Sequence, residues 1–97
     1  MPLTHASMNQ RYAPSETVIA REVGGEEVLL DMATGAYFGL NEVGTAIWQA
    51  LEREPADAPA LAQAVVGQFA VSVEQAEADA RTLLGELAER GLITLID

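Results

Sequence analysis

The chain has 97 residues, 49% of them hydrophobic, which suits one domain with a single modest core and leaves no room for a second lobe or an enclosed catalytic cleft. It has no cysteine, which excludes a disulfide, a thiol nucleophile and a sulfur-based metal site and fits a reducing cytoplasm. Five arginines and no lysine against fifteen acids give a formal charge of -10, which repels phosphate backbones and anionic membrane surfaces and attracts basic segments.

The stretch Met1 to Pro14 is polar, carries Pro2 and Pro14 and shows no periodicity, so a flexible lead-in over 1–14 and a folded domain over 15–97 are expected. It lacks the basic start and apolar run of a secretion signal, and no apolar run elsewhere approaches the roughly 20 residues that span a bilayer. His5 lies in the lead-in and is expected to be solvated and without a role.

From Thr17 the pattern becomes β-branched and apolar. Thr17 to Val23 and Glu26 to Asp31 read as two strands joined by Gly24-Gly25, a pair that adopts positive φ without steric cost. Asp31-Met-Ala-Thr-Gly35 makes a second turn, and Ala36 to Leu40 completes a three-stranded antiparallel meander. Asn41 caps a first helix whose apolar positions are Val43, Ala46, Ile47, Ala50 and Leu51, ending near Arg53. Asp57 caps a second helix with Pro59 in its first turn and Leu61, Val65, Val66 and Phe69 as its stripe, interrupted by Gly67. Ser72-Val-Glu-Gln75 is a capping box opening a third helix, on which Val73, Ala76, Ala80, Leu83, Leu84 and Leu87 keep phase until Gly91. Leu92 to Ile96 is either a short strand or an apolar plug. The fold class is therefore α+β.

Enzyme chemistry finds little support in these residues. Nucleophilic catalysis requires an activated Ser, Thr, Cys or Lys beside a base, yet Cys and Lys are absent and the single His is in the lead-in. Glu26-Glu27 sits at a hairpin and the other acids are spread over helix surfaces, as on a solvated face. There is no His/Cys cluster, no calcium loop and no phosphate-loop spacing, so neither metal nor cofactor is expected.

What remains is shape. A meander in chain order leaves its third strand, Ala36-Tyr37-Phe38-Gly39-Leu40, with a row of unpaired backbone groups, to which an extended peptide can add as a further strand. The third helix suits the role of neighbour, because Gln75, Asp79, Thr82 and Glu86 line one margin of its apolar stripe and the two acids can hold a basic residue of the visitor. The expected contact set is the five residues of that strand with Gln75, Ala76, Asp79, Ala80, Thr82, Leu83 and Glu86. The bland reading is that Asp79 and Glu86 only solubilise the helix, with Glu77–Arg81 and Glu86–Arg90 as ordinary i,i+4 pairs. Phe38, Leu40 and Trp48 are expected in the core, and Tyr37 is the aromatic better placed to meet a ligand.

The run Val28 to Trp48, above all Leu30-Asp31, Thr34-Gly35, Tyr37-Phe38, Leu40-Asn41, Gly44 and Ile47-Trp48, followed by two helices and Gly91-Leu-Ile93, resembles the PqqD-like family. Its members are recognition elements for ribosomally made, modified peptides. Over about residues 15 to 96 the resemblance implies a winged-helix-like fold of three strands and three helices. It also implies that a precursor's leader pairs antiparallel with the third strand against the third helix, without catalysis. The chain departs from the proteins of pyrroloquinoline quinone biosynthesis: Asp31-Met-Ala-Thr-Gly35 stands where those tend to have Pro-Glu, and their Asp-Gly turn before the second helix is missing. It looks closer to stand-alone recognition proteins of lasso-peptide clusters, whose partners are a leader-cleaving protease and a ring-forming cyclase. The quinone-type alternative is a peptide chaperone for a radical SAM enzyme. Two other classes stay open. A winged-helix DNA-binding regulator is disfavoured because its recognition helix would carry Glu74, Glu77, Asp79, Glu86 and Glu89 against Arg81 and Arg90. A homodimer could instead use the open edge to pair with its own copy.

Overall fold

The computed structural model describes residues 10–96, so His5 and most of the expected lead-in lie outside the described residues. The elements run β1 (Arg11–Pro14), β2 (Val18–Val23), β3 (Glu26–Asp31), β4 (Tyr37–Gly39), α1 (Glu42–Arg53), α2 (Ala58–Val66), α3 (Val73–Glu89) and β5 (Ile93–Ile96). They form an antiparallel three-stranded sheet in the order β2-β3-β4 and a two-stranded sheet β1-β5, packed with three helices as a mixed α+β fold.

The hairpin forms as its glycines dictate. Gly24 and Gly25 both have positive φ, 63° and 88°, the signature of a tight turn whose twist matches the flanking strands. One face of the sheet packs on the helices: the cross-strand row Ala20, Leu29 and Phe38 points inward, with Leu29 fully buried. The opposite row, Ile19, Leu30 and Tyr37, points outward. Trp48, Ile47 and Leu51 of α1, Leu61 and Val65 of α2, and Ala76, Ala80, Leu84 and Leu87 of α3 complete the core.

The helix ends follow local chemistry. Asn41, Asp57 and Ser72 each accept a hydrogen bond from the backbone N–H three residues on, at 2.8 to 3.0 Å. The capping box at α3 is only half made, since the Gln75 amide donates to Asp79 at 2.8 Å rather than reaching back to Ser72. Gly67 terminates α2 rather than interrupting it, and Phe69 follows in the next turn. α3 ends in a Schellman motif: Leu92 N–H donates to the Leu87 carbonyl and Gly91 N–H to the Ala88 carbonyl, with Gly91 at φ 73°. Leu92 and Leu87 are both buried, the apolar contact that accompanies this stop.

Two expectations change here. Arg11–Pro14 is a strand and not lead-in: Tyr12 exchanges backbone hydrogen bonds with Ala56 at 2.9 and 3.1 Å, and the strand pairs with Ile93–Ile96 from the far end of the chain. The folded region therefore begins before residue 15. Nothing in Arg-Tyr-Ala-Pro alternates, because the strand owes its form to partners some 80 residues away and not to its own pattern. Leu92–Ile96, left open between strand and plug, is mostly strand, and it pairs with β1, not with β4.

Candidate functional site

Among the described residues β4 has one strand neighbour, β3, and the pattern of bonds between them identifies which backbone groups are left over. Asp31 N–H donates to the Ala36 carbonyl at 2.9 Å, Leu40 N–H donates to the Glu27 carbonyl at 2.8 Å, and Phe38 lies opposite Leu29 between them. The groups of residues 36, 38 and 40 therefore face β3, and those of Tyr37 and Gly39 face away from it, since an antiparallel strand alternates its bonding side. Two N–H and two C=O groups line the outer edge of β4.

The strand is held in place from both ends. Asp31, buried at the close of β3, accepts from Ala33 N–H at 2.9 Å and from the Thr17 hydroxyl at 3.0 Å, tying the β3-β4 turn to the start of β2. The Ala33 N–H first, and the Thr17 hydroxyl second, hold its carboxyl below the ordinary carboxylate value against the opposing effect of burial. Gly35 supplies the positive φ of 80° that turns the chain into β4. At the other end Leu40 is buried and Asn41 caps α1. Gly44 is closely packed: a Cβ there would sit 3.2 Å from a Leu40 methyl and 3.3 Å from the Asn41 cap oxygen, so these neighbours would have to give by a few tenths of an ångström.

Beside the β4 edge lies an open groove of about 340 Å³. Phe38, Gly39 and Leu40 line one wall; Asp79, Thr82, Leu83 and Glu86 of α3 line the other; Asn41, Val43, Gly44 and Ile47 from the start of α1 close one end. Outside the lining, the Arg90 guanidinium lies over the Phe38 ring, 5.0 Å from its centroid. The walls are apolar at depth and acidic at the α3 rim.

Of the expected contact set, this arrangement brings seven together in the groove: Phe38, Gly39, Leu40, Asp79, Thr82, Leu83 and Glu86. Tyr37 sits on the strand and Ala36 just before it, both outside the groove lining. The Tyr37 side chain, 70% exposed, is on the outward face of the sheet, so only its backbone meets the edge. Gln75 is occupied with Asp79. Ala76 and Ala80 are fully buried, because the packing of α3 against α2 turns them into the core. Glu77 and Arg81 form the expected pair at 2.6 Å, but Glu86 and Arg90 do not pair, because Arg90 turns to Phe38. Asn41, Val43, Gly44 and Ile47 are wall residues that the sequence reading missed as site residues. Val43 and Ile47 carry the same periodic signal as core positions, and periodicity does not separate a core-facing from a groove-facing apolar residue.

Among the described residues no group of His, Cys, Asp and Glu side chains is arranged to hold a metal ion, and no helix is long and apolar enough to cross a membrane.

The profile of the family described as Coenzyme PQQ synthesis protein D (PqqD) matches residues 26–93, more than two thirds of the chain and every element from β3 to the start of β5. The chain belongs to the PqqD family. In fold it is similar to a solved structure described as TbiB1 in complex with the TbiA(beta) leader peptide, with a TM-score of 0.75 and 33% identity over 84% of this chain and 93% of that one. It is also similar to lasso peptide synthetase B1 complexed with the leader peptide, with a TM-score of 0.74 and 25% identity over 86% of this chain and 96% of that one. No curated protein is matched in sequence. The part that matches contains the whole groove: β4, the first turns of α1, and α3.

Proposed function

We propose that this PqqD-family chain binds the leader region of a ribosomally made precursor peptide in the groove between β4 and α3, adding it as an antiparallel strand to β4. The observation that carries the reading is the unpaired backbone row of Tyr37 and Gly39, left open beside an apolar-floored groove. β5, the segment of this chain best suited to seal that row, is instead engaged by β1. The likeness to two solved leader-peptide complexes supports the same reading. The contact residues are the β4 backbone with Phe38, Val43, Asp79, Thr82, Leu83 and Glu86.

The chain acts without chemistry of its own and in the cytoplasm, presenting the bound precursor to a leader-cleaving protease and a ring-forming cyclase. A DNA-binding role is opposed by the acids along α3, which repel phosphates.

Amide hydrogen exchange measured residue by residue tests the docking line. In the free chain the Tyr37 and Gly39 N–H groups exchange readily, while Phe38, bonded to Leu29, is protected. A bound leader peptide should protect Tyr37 and Gly39 and leave Phe38 as it was. Leader binding with unchanged exchange at both positions would move the site elsewhere.

A further inference from the structure

We propose that the groove also reads the order of charges along the incoming strand: a basic side chain first, against Asp79 and Glu86, and an acidic side chain nearer the C-terminus, against Arg90. The inference rests on the strand-addition reading above and extends it to the class of peptide accepted.

The reasoning starts from the five arginines. Arg81 is engaged by Glu77 at 2.6 Å, and Arg11, Arg21 and Arg53 belong to β1, β2 and α1 outside the groove lining. Arg90 is also outside the lining but lies over the ring of Phe38, a lining residue; it is exposed, and among the described residues it forms no ion pair. Its guanidinium is steadied by the Phe38 ring at 5.0 Å, and its backbone by the Schellman stop at Gly91 and Leu92. A cation held in this way gives up less side-chain freedom when a carboxylate arrives, and its planar fork matches a carboxylate in two bonds.

The acids lie earlier on the same helix. Asp79 is oriented by the Gln75 amide at 2.8 Å, which leaves its second oxygen available, and the Glu86 carboxylate makes no hydrogen bond or ion pair among the described residues. Arg90 lies over Phe38, and Asp79 precedes it by about 16 Å of helix, so Asp79 falls away from Phe38, toward the part of the lining that α1 supplies. A strand antiparallel to β4 enters at the Leu40 side and leaves at the Tyr37 side. It therefore meets Asp79 first, Glu86 next and Arg90 last.

Spacing follows from rise per residue. Asp79 and Arg90 are separated by about 16 Å along the helix and Glu86 and Arg90 by about 6 Å, at roughly 1.5 Å per residue. An extended strand covers those spans in about five and about two residues at roughly 3.3 Å each. Side chains facing α3 recur every second residue, so the basic position lies two, four or six residues before the acidic one. A peptide of the same composition with these charges exchanged would place acid against acid and base against base.

The test uses a displayed library of random 14-residue peptides panned on the full chain, on Arg90→Glu and on Asp79→Lys, with Arg90→Gln as a second variant and a thermal melt for each. Peptides recovered on the wild type should carry the base before the acid at an even spacing and should lose binding to Tyr37→Pro. On Arg90→Glu the acidic position should turn basic while the upstream position is unchanged; on Asp79→Lys the upstream position should turn acidic. Titrating a recovered peptide against Arg90→Gln should show about three- to fivefold weaker binding, an effect that shrinks in 0.5 M salt. Edge-dependent peptides with no charge order, or with the reverse order, overturn this inference and leave strand addition standing. Recovery of no peptide that depends on Tyr37 overturns both.

Discussion

The open edge of β4 makes a sharp distinction between two adjacent residues. Tyr37→Pro removes an N–H that points away from β3, whereas Phe38→Pro removes one that donates to the carbonyl of the fully buried Leu29. For Tyr37→Pro the intramolecular loss is confined to the exposed Tyr37–Leu30 side-chain pair, worth about 0.2 to 1 kcal/mol. Proline is tolerated where the N–H of an edge strand faces out. The melting temperature should fall by no more than about 8 °C, given about 4 to 8 °C per kcal/mol for a domain of this size. Binding should suffer more than folding: one backbone hydrogen bond to the visiting strand is worth about 1 kcal/mol, or roughly a fivefold rise in Kd, with ring crowding added. Phe38→Pro strands the Leu29 carbonyl at about 1 to 3 kcal/mol and removes a half-buried ring, so it should melt more than about 10 °C lower. Fluorescence anisotropy with labelled leader, beside a thermal melt, reads both quantities. Tyr37→Val, which keeps the N–H and a strand-forming side chain, is the control. Equal affinity in Tyr37→Pro and Tyr37→Val would refute the assignment of this edge as the docking line.

Other substitutions probe the rim, the clasp and the ends of the chain. Charge reversal at Asp79 or Glu86 should weaken leader binding by about three- to tenfold while the melt moves by less than about 0.5 kcal/mol in stability, as titration and denaturation will show. Asp31 is held ionised in the folded chain, so its stabilising contribution is complete above the unfolded carboxylate value of about 3.9 and is lost as pH falls from there toward its lowered folded value. Asp31→Asn should therefore be less stable at pH 7 and should lose less stability than the wild type between pH 5 and pH 2, read by urea melts across that range. Gly91→Ala places a Cβ at φ 73° and should cost about 1 kcal/mol in denaturant unfolding, with Arg90 and β5 the residues whose resonances move most. Removing residues 1–14 takes away β1 and strips β5 and Ala56 of their partners, so the truncated chain should melt several degrees lower; an unchanged melt would contradict the β1-β5 pairing.

Much of this protein is decided within short stretches of chain. The Gly24-Gly25 turn, the caps Asn41, Asp57 and Ser72, and the Gly91 stop each act within a few residues, so each is legible from the residues alone. The meander needs only those turns and alternating strands, and its third strand is an edge by chain order. The resemblance carried by Leu30-Asp31 through Ile47-Trp48 points to the family that the profile match then shows. Other features depend on partners distant in sequence, and no local pattern encodes them. Arg11–Pro14 becomes a strand because Ile93–Ile96 and Ala56 complete its hydrogen bonds. That same pairing keeps the C-terminal residues away from β4. Ala76 and Ala80 look like groove residues on a helical wheel, and only the packing of α3 against α2 turns them inward. Arg90 looks like half of an i,i+4 pair with Glu86, and only the approach of β4 provides the ring over which it lies. Short-range sterics and hydrogen bonding set the elements; which face of each is left open is a property of the assembled packing, because burial is shared among segments that meet only when the chain has folded.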